Sequence, residues 1–228
     1  MKRIRLRDRQ LPDYTRGEEI FNMVSHIVGG AFGVVALVTC VVRAFLKGGA
    51  YEVVGAFIYG FSMIILYTMS SLYHGLKPLM AKKVFQIIDH CTIFILIAGT
   101  YTPIALSGLR KMNPALGWAV FGVVWGLSAL GIVLNAIDLK KYSKVSMMLY
   151  ILLGWCIVLT GKSAITALSA PGFGFMLAGG ISYTFGAVLY AIAGKGKRPH
   201  RYMHSVFHLF VVLGSILQYF GILFYVIK

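Results

Sequence analysis

The chain has 228 residues, of which 58% are hydrophobic and only 13% are charged, whereas about a quarter of the residues of a soluble domain are charged. This composition excludes a soluble globular domain and predicts an all-α integral membrane protein. The formal net charge of +15 does not indicate nucleic acid, because the basic residues lie between apolar segments. Their expected partners are the anionic headgroups of membrane lipids.

Seven apolar segments are long enough to cross a bilayer, for which a helix needs about 20 residues. They are residues 20–46, 53–75, 84–107, 115–136, 145–168, 172–193 and 202–227. Residues 1–19 are polar and basic and lack the apolar stretch of a secretory signal. The sequence therefore predicts a cytoplasmic tail, residues 1–19, and a single membrane domain, residues 20–228, built as a bundle of seven transmembrane helices.

The orientation of the bundle follows from the basic residues. With the N-terminus inside, the tail and three loops hold sixteen Lys and Arg residues on the inner side, against five on the outer side. Since cytoplasmic loops carry the excess of Lys and Arg, the N-terminus is predicted to be cytoplasmic and the C-terminus outside. Lys162 lies within the fifth segment, toward its outer end, where its long stem is expected to snorkel to the interface.

Four polar side chains, each of which costs free energy when it is buried in a membrane, lie at the same predicted depth. His204 and His208 occupy the first two turns of the last segment, four residues apart and therefore on one helix face. His74 ends the second segment, and Asp89 lies about one and a half turns into the third. The predicted orientation places all four in the cytoplasmic third of the membrane, where we expect them to converge.

The types of these side chains indicate a metal site. Three imidazoles with an open fourth position are the ligand set of a catalytic zinc, which activates water. We therefore predict zinc at His74, His204 and His208, with Asp89 beside it. Two other interpretations stay open at this point. The pair His204 and His208 could face lipid headgroups, and Asp89 could form a structural ion pair with a loop lysine such as Lys83.

Ser70 precedes His74 by one helical turn and lies on the same helix face. Its hydroxyl is expected either to bond the metal-bound water or a substrate oxygen, or to bond back to its own helix backbone. The neighbouring Ser71 points elsewhere and is expected to be a packing residue. Ser70 is therefore the serine that we predict at the site.

The remaining histidines are weaker candidates. His90 is rotated by about 100° from Asp89 and is not expected to share its direction. His26 has a suitable depth in the first segment, one turn from Asn22, and the two are expected to form a hydrogen-bonded pair that supports the site. His200 lies in the last loop, where we expect it to be solvated.

Several of these stretches resemble the bacterial hemolysin III family, which belongs with the progestin and adipoQ receptors and more remotely with the alkaline ceramidases. The resemblance covers almost the full chain. It rests on SSLYH at residues 70–74, on DH at 89–90 leading to AGTYTP at 98–103, on His204-x3-His208, and on EEIFN at 18–22 through His26.

The resemblance implies a multi-pass protein of a bacterial plasma membrane. It also implies that His74, His204 and His208 bind zinc, and that Ser70 and Asp89 lie beside the zinc-bound water. One departure is Ser205, where bacterial relatives commonly carry Glu between the two histidines. Because this is not a ligand position, the departure affects only the surroundings of the site.

Three functional hypotheses follow. The first is a zinc-dependent hydrolase of a lipid amide or ester, with Asp89 as base or water orienter and Ser70 stabilising the oxyanion. The second is a receptor or sensor that affects membrane lipid composition, in which zinc holds the second, third and seventh helices together. A pore-forming hemolysin ranks last, because a pore usually shows a polar helix face across the whole membrane. Bis-histidine haem fits three histidines and an aspartate less well than zinc does. The expected ligand is a lipid acyl substrate or a fatty acid.

Overall fold

The computed structural model describes residues 5–193 and 201–228. Within these residues all regular secondary structure is helical, and six helices are long and apolar enough to cross a membrane. Outside the described residues lie His200 and five of the sixteen basic residues counted on the inner side, Lys2, Arg3, Lys195, Lys197 and Arg198. We number the main helices α1 (Arg16–Lys47), α2 (Ala50–Gly75), α3 (Leu79–Pro103), α4 (Pro114–Asp138), the shorter α5 (Ser143–Gly154), α6 (Lys162–Ala193) and α7 (Met203–Gly221).

The start of α1 is fixed by a reciprocal cap. The Thr15 hydroxyl accepts from the backbone N–H of Glu18, and the Glu18 carboxylate accepts from the backbone N–H of Thr15 at 2.8 Å. Such a capping box satisfies two backbone donors that a helix start leaves unpaired. The first helix therefore begins at Arg16, four residues before the predicted boundary at residue 20.

The predicted fifth segment, residues 145–168, is not one continuous helix. α5 ends at Gly154, a short helix Cys156–Leu159 follows, and Gly161 turns the chain with a φ of 51° before α6 begins. α6 in turn bends at Ser169, whose φ is 65°, two residues before a proline. Lys162 therefore does not lie inside a span: it is exposed at the first residue of α6.

α3 is the most buried of the long helices and packs against α2 and α4. α1 packs along α2, α6 packs along α7, and α7 also contacts α1, so that the first and last helices are neighbours. At the far end of α3, Pro103 is followed by a widened π-helical stretch, Ile104–Leu109, and by one turn, Arg110–Met112. The contact of α7 with α1 brings the start of the last helix beside the end of α2.

A buried polar network joins α5 to α3 and α4. The Asn135 amide donates to the Tyr150 hydroxyl at 3.1 Å and accepts from the Ser146 hydroxyl at 2.6 Å. The Tyr150 hydroxyl donates to the backbone carbonyl of His90 at 2.7 Å. Polar side chains that bond across helices in this way stabilise helix association in a membrane, so the network fixes the short α5 against the core.

Candidate metal centre

The last turn of α2 and the first two turns of α7 bring three histidines together. His74, His204 and His208 each offer a ring nitrogen, and these nitrogens all lie within 4.8 Å of one another. The rings of His74 and His208 lie with their centroids 5.1 Å apart, and those of His204 and His208 4.5 Å apart. The structure thus assembles from two helices the three imidazoles that the sequence predicts as ligands.

The ring of His74 is oriented by a carboxylate. Its Nδ1 atom donates a hydrogen bond to the Glu19 carboxylate at 2.6 Å, and the Lys82 ammonium lies 2.8 Å from the other oxygen of that carboxylate. The Nε2 atom of His74 is buried and has no hydrogen-bond partner among the described residues. Metal-binding histidines characteristically donate their second N–H to a carboxylate, so His74 presents a nitrogen prepared to bind a cation.

The nitrogens of the other two histidines face each other. Nε2 of His204 and Nε2 of His208 are 3.1 Å apart. Two nitrogens bound to one tetrahedral zinc lie roughly 3.3 Å apart, given zinc–nitrogen distances of about 2.0–2.1 Å. The observed spacing fits two ligands of one ion, and the donor set of three imidazoles fits zinc. Asp89 does not belong to the group of mutually close ligand atoms.

Asp89 and Ser70 lie on the wall of a cavity that His204 and His208 also line. Both residues are buried, and the Ser70 hydroxyl lies near the Asp89 carboxylate, although it makes no close hydrogen bond to the described residues. Asp89 and Lys83 do not form an ion pair: the neighbour of the Asp89 carboxylate is His90, and the Lys83 ammonium donates to the backbone carbonyl of Arg7. The cavity-facing serine and aspartate are therefore open to a water molecule or a bound ligand.

His90 corrects one prediction. Its Nδ1 atom lies 3.6 Å from the Asp89 carboxylate and 2.8 Å from the backbone carbonyl of Gln86, and its ring lines the same cavity. A rotation of about 100° separates the two Cα–Cβ directions, but both side chains are long enough to meet again at the cavity wall. His90 is thus a neighbour of Asp89.

A second correction concerns Asn22 and His26. They do not bond each other: the Asn22 amide accepts from the Ser205 hydroxyl at 2.7 Å and its nitrogen lies 3.5 Å from Nδ1 of His74. His26 stacks on His208 with ring centroids 3.7 Å apart. Both side chains therefore contact the site, but Asn22 does so by tying α1 to α7.

The polar N-terminal tail, which precedes α1, covers one side of the site. The Tyr14 ring stacks on His204, with centroids 5.1 Å apart and planes at 14°, and Tyr190 of α6 approaches the same histidine at 5.1 Å. Burial raises the pKa of the Tyr14 phenol far above its usual range, so it stays a neutral hydroxyl. Tyr14 thus covers His204 and His74 on the side of the N-terminal tail.

The cavity extends from this site into the bundle. It has a volume of about 170 Å³ and lies between α3, α5, α6 and α7. Its lining runs from Asp89 to Tyr101 along α3 and from His204 to Gln218 along α7, which is about 20 Å at a rise of about 1.5 Å per residue. Most of the remaining lining residues are aliphatic or aromatic, among them Leu66, Ile93, Leu96, Ile97, Ile151, Phe207 and Val211. The imidazole and carboxylate side chains are concentrated at the histidine end, while Thr100 and Gln218 are polar residues toward the other end.

Sequence reasoning missed two contributors to the site, Glu19 and Tyr14. Glu19 looked like an ordinary acidic residue at a helix start, although it lies three residues before Asn22 and therefore on the same face of α1. Tyr14 carried no signal, because its position depends on how the tail folds back over the end of the bundle. The spacing of Glu19, Asn22 and His26 was the clue available in the sequence.

Comparison with known proteins gives relatives for nearly the whole chain. A family model described as Haemolysin-III related matches residues 14–219. The chain is 38% identical over 210 residues to Hemolysin-3 of Bacillus cereus, covering 92% of each chain. It is 35% identical over 215 residues to the Hemolysin-3 homolog of Bacillus subtilis (strain 168), covering 94% of this chain and 97% of that one.

A more distant similarity reaches human proteins. The chain is 25% identical over 186 residues to the monocyte to macrophage differentiation factor of Homo sapiens, covering 78% of this chain and 72% of that one. No solved structure matches the chain. The bacterial relatives, together with the six long apolar helices of the described residues, identify a multi-pass protein of the plasma membrane.

Proposed function

We propose that this chain, which belongs to the haemolysin-III-related family, is a zinc-dependent hydrolase of lipid amides or esters with its site near the cytoplasmic leaflet. The observation that carries the proposal is the shape of the cavity. Its apolar length suits an acyl chain, and its polar end holds His204, His208, Asp89 and Ser70. A lipid carbonyl and a water molecule can therefore meet at one end while the chain lies in the other.

The fit of the histidines supports His74, His204 and His208 as the ligands of the metal, with Glu19 fixing the ring of His74. When bound, zinc supplies Lewis acidity that polarises a carbonyl and makes water nucleophilic near neutral pH. The Asp89 carboxylate accepts a proton from the attacking water, and the Ser70 hydroxyl donates to the carbonyl oxygen as it becomes negative. As the carbonyl reforms, the amide or ester bond breaks, and the Asp89 proton passes to the leaving nitrogen or oxygen.

The proposal includes seven crossings and a cytoplasmic N-terminus. His74 ends α2 and His204 lies at the start of α7, and their proximity supports a topology in which these two helix ends share one membrane face. The chain then crosses twice, through α3 and α4, and returns to that face. Because α7 begins at the same face, α6 has to end there. The chain must then cross once more between Asp138 and Lys162, which supports a seventh crossing by α5 and Cys156–Leu159. The excess of basic residues on that face supports its cytoplasmic assignment.

A receptor or sensor of membrane lipid composition is the second candidate function. It is favoured by the placement of the histidines on two helices, α2 and α7, which a bound zinc would clamp together. The same cavity would then hold a fatty acid without turnover, and zinc would be structural. This candidate differs from the hydrolase in one respect that can be measured, the cleavage of a bound lipid.

The test reconstitutes the purified protein in liposomes that contain a long-chain acyl amide or ester, and follows hydrolysis and the leakage of a trapped dye on one preparation. We expect hydrolysis without leakage. Asp89→Ala should abolish turnover while the protein remains folded and zinc-loaded. Asp8→Asn is the matched control, because this acid lies in the tail with its side chain 60% exposed, and it should leave turnover unchanged.

The two other outcomes are informative. Leakage that persists in Asp89→Ala, with no hydrolysis by the parent protein, would replace the hydrolase with a pore. If neither hydrolysis nor leakage is observed, and if removal of the metal destabilises the helix bundle, the receptor would be favoured.

A further inference from the structure

A second concave surface lies outside the cavity, between α1 and α2. This groove has a volume of about 540 Å³ and is lined by Gly30 and Ala31 on α1 and by Ile64 and Thr68 on α2. Other lining residues, Ile27 and Val34, are 53% and 49% exposed. Since α1 and α2 are both long enough to span the membrane, the groove opens toward lipid.

One residue belongs to both spaces. His26 lines the groove and also lines the cavity, where its ring stacks on His208 at 3.7 Å. Tyr67 lines the groove and packs against His26 edge-on, with centroids 5.0 Å apart. The wall between the lipid-facing groove and the interior is thus formed here by two rings.

The two rings are held very differently. The Tyr67 hydroxyl donates to the Ser215 hydroxyl at 2.7 Å, and the ring lies so close to α1 that a Cβ at Gly29 would be 2.7 Å from it. His26 is only 4% exposed, and neither of its ring nitrogens has a hydrogen-bond partner among the described residues. A buried polar group without a partner costs about 1–3 kcal/mol. His26 is therefore the part of the wall that ring packing alone holds, with an N–H available to a polar group that passes it.

We infer that the groove between α1 and α2 is the access site for an acyl chain of a membrane lipid, and that the His26 ring gives way when the chain passes into the cavity. The occupant is an acyl chain because the groove is apolar and opens at the depth of the bilayer core. Its inner end reaches Leu76, directly before Lys77, and α1 begins at Arg16. Two cations near this end suit an anionic phospholipid headgroup. The His26 N–H suits the ester or amide carbonyl that follows the chain.

The inference rests on the proposed function in taking an acyl lipid as the molecule that reaches the site, but its test needs no turnover. The full chain is reconstituted in vesicles of phosphatidylethanolamine and phosphatidylglycerol, with a photoreactive diazirine on the acyl chain of the phosphatidylglycerol. After solubilisation, delipidation and irradiation, the retained lipid is located by mass spectrometry of peptides. We expect label on residues 23–34 and 64–76.

Filling the groove should remove this label. In Gly30→Leu the new Cβ has its nearest neighbour, Cβ of Tyr67, at 3.6 Å, so the helix can accept it while the leucine occupies the groove. We expect at least a fivefold loss of groove label. Gly126→Leu is the matched control, because Gly126 is exposed on α4 with no atom within 4 Å of its added Cβ, and it should keep the label. Should Gly30→Leu fail to fold, Ala31→Phe fills the same groove.

Opening the wall should move the label inward. In His26→Ala we expect label on residues 183–190 and 207–211, which line the cavity. Groove label that is the same in Gly30→Leu and Gly126→Leu would overturn the access site, and His26→Ala without label in the cavity would overturn the role of the wall. If the label behaves as expected but the protein hydrolyses no lipid, the access site stands and the hydrolase proposal fails.

Discussion

The Nδ1 atom of His74 lies 2.6 Å from the Glu19 carboxylate, so the first helix orients a histidine at the end of the second. We predict that Glu19→Gln lowers zinc affinity about 10–100-fold, the usual effect of losing such a partner. Competition with a chromophoric chelator measures the dissociation constant. Asp13→Asn, an exposed acid six residues earlier, is the control and should have no effect. Equal affinities in the two variants would remove Glu19 from the site.

The metal content of variants checks the ligand assignment. His204→Ala and His208→Ala should each lose most of the zinc and lower the temperature of unfolding, because metal binding stabilises the folded state. Asp89→Ala should keep more zinc than either. His90→Ala removes an imidazole that lines the same cavity but is not in the cluster, and it should retain its zinc. Elemental analysis of purified protein measures the content, and full zinc in both ligand variants would contradict the assignment.

Sequence patterns predicted the helical membrane class and the proximity of His74 to His204 and His208 for clear physical reasons. Long apolar runs have few alternatives to membrane helices, and costly side chains at one depth have to find partners there. The contributions of Glu19 and Tyr14 could not be read in the same way, since they depend on the contact between α1 and α2 and on the path of the tail. The break of the fifth segment was also hidden, because Gly154 and Gly161 look like the many glycines that allow close helix packing.

The stacking of Tyr14 on His204 predicts that the tail slows the loss of metal. Tyr14→Ala should increase the rate at which a chelator removes zinc several-fold, because it uncovers His204 and His74. Tyr14→Phe keeps the stacked ring and should retain the slow rate. Stopped-flow measurement with an excess of chelator gives the rates. If alanine and phenylalanine behave alike, the ring does not cover the site.

The network around Asn135 predicts how α5 is held. Asn135→Leu removes its bonds to Tyr150 and Ser146, and interhelical bonds of this kind contribute about 0.6–1.7 kcal/mol each. We therefore expect the free energy of unfolding in mixed micelles to fall by about 1–3 kcal/mol. Val133→Leu, at a 52% exposed position on the same helix, should leave it nearly unchanged. A loss equal to that of the control would show that the network does not hold α5 in place.

Reporter fusions test the seventh crossing. α5 alone, Ser143–Gly154, spans only about 18 Å, and its extension to Leu159 reaches about 25 Å, close to the roughly 30 Å of a bilayer core. With seven crossings and a cytoplasmic start, a fusion after Lys140 should report the cytoplasm, and fusions after Gly161 and after Lys228 the outside. If α5 only lies in the interface, the fusions after Lys140 and Gly161 will report the same side. The fusion after Lys228 will then report the cytoplasm. That result would also place His204 and His74 on opposite sides of the membrane. The short distance between their nitrogens is therefore compatible only with the topology of seven crossings.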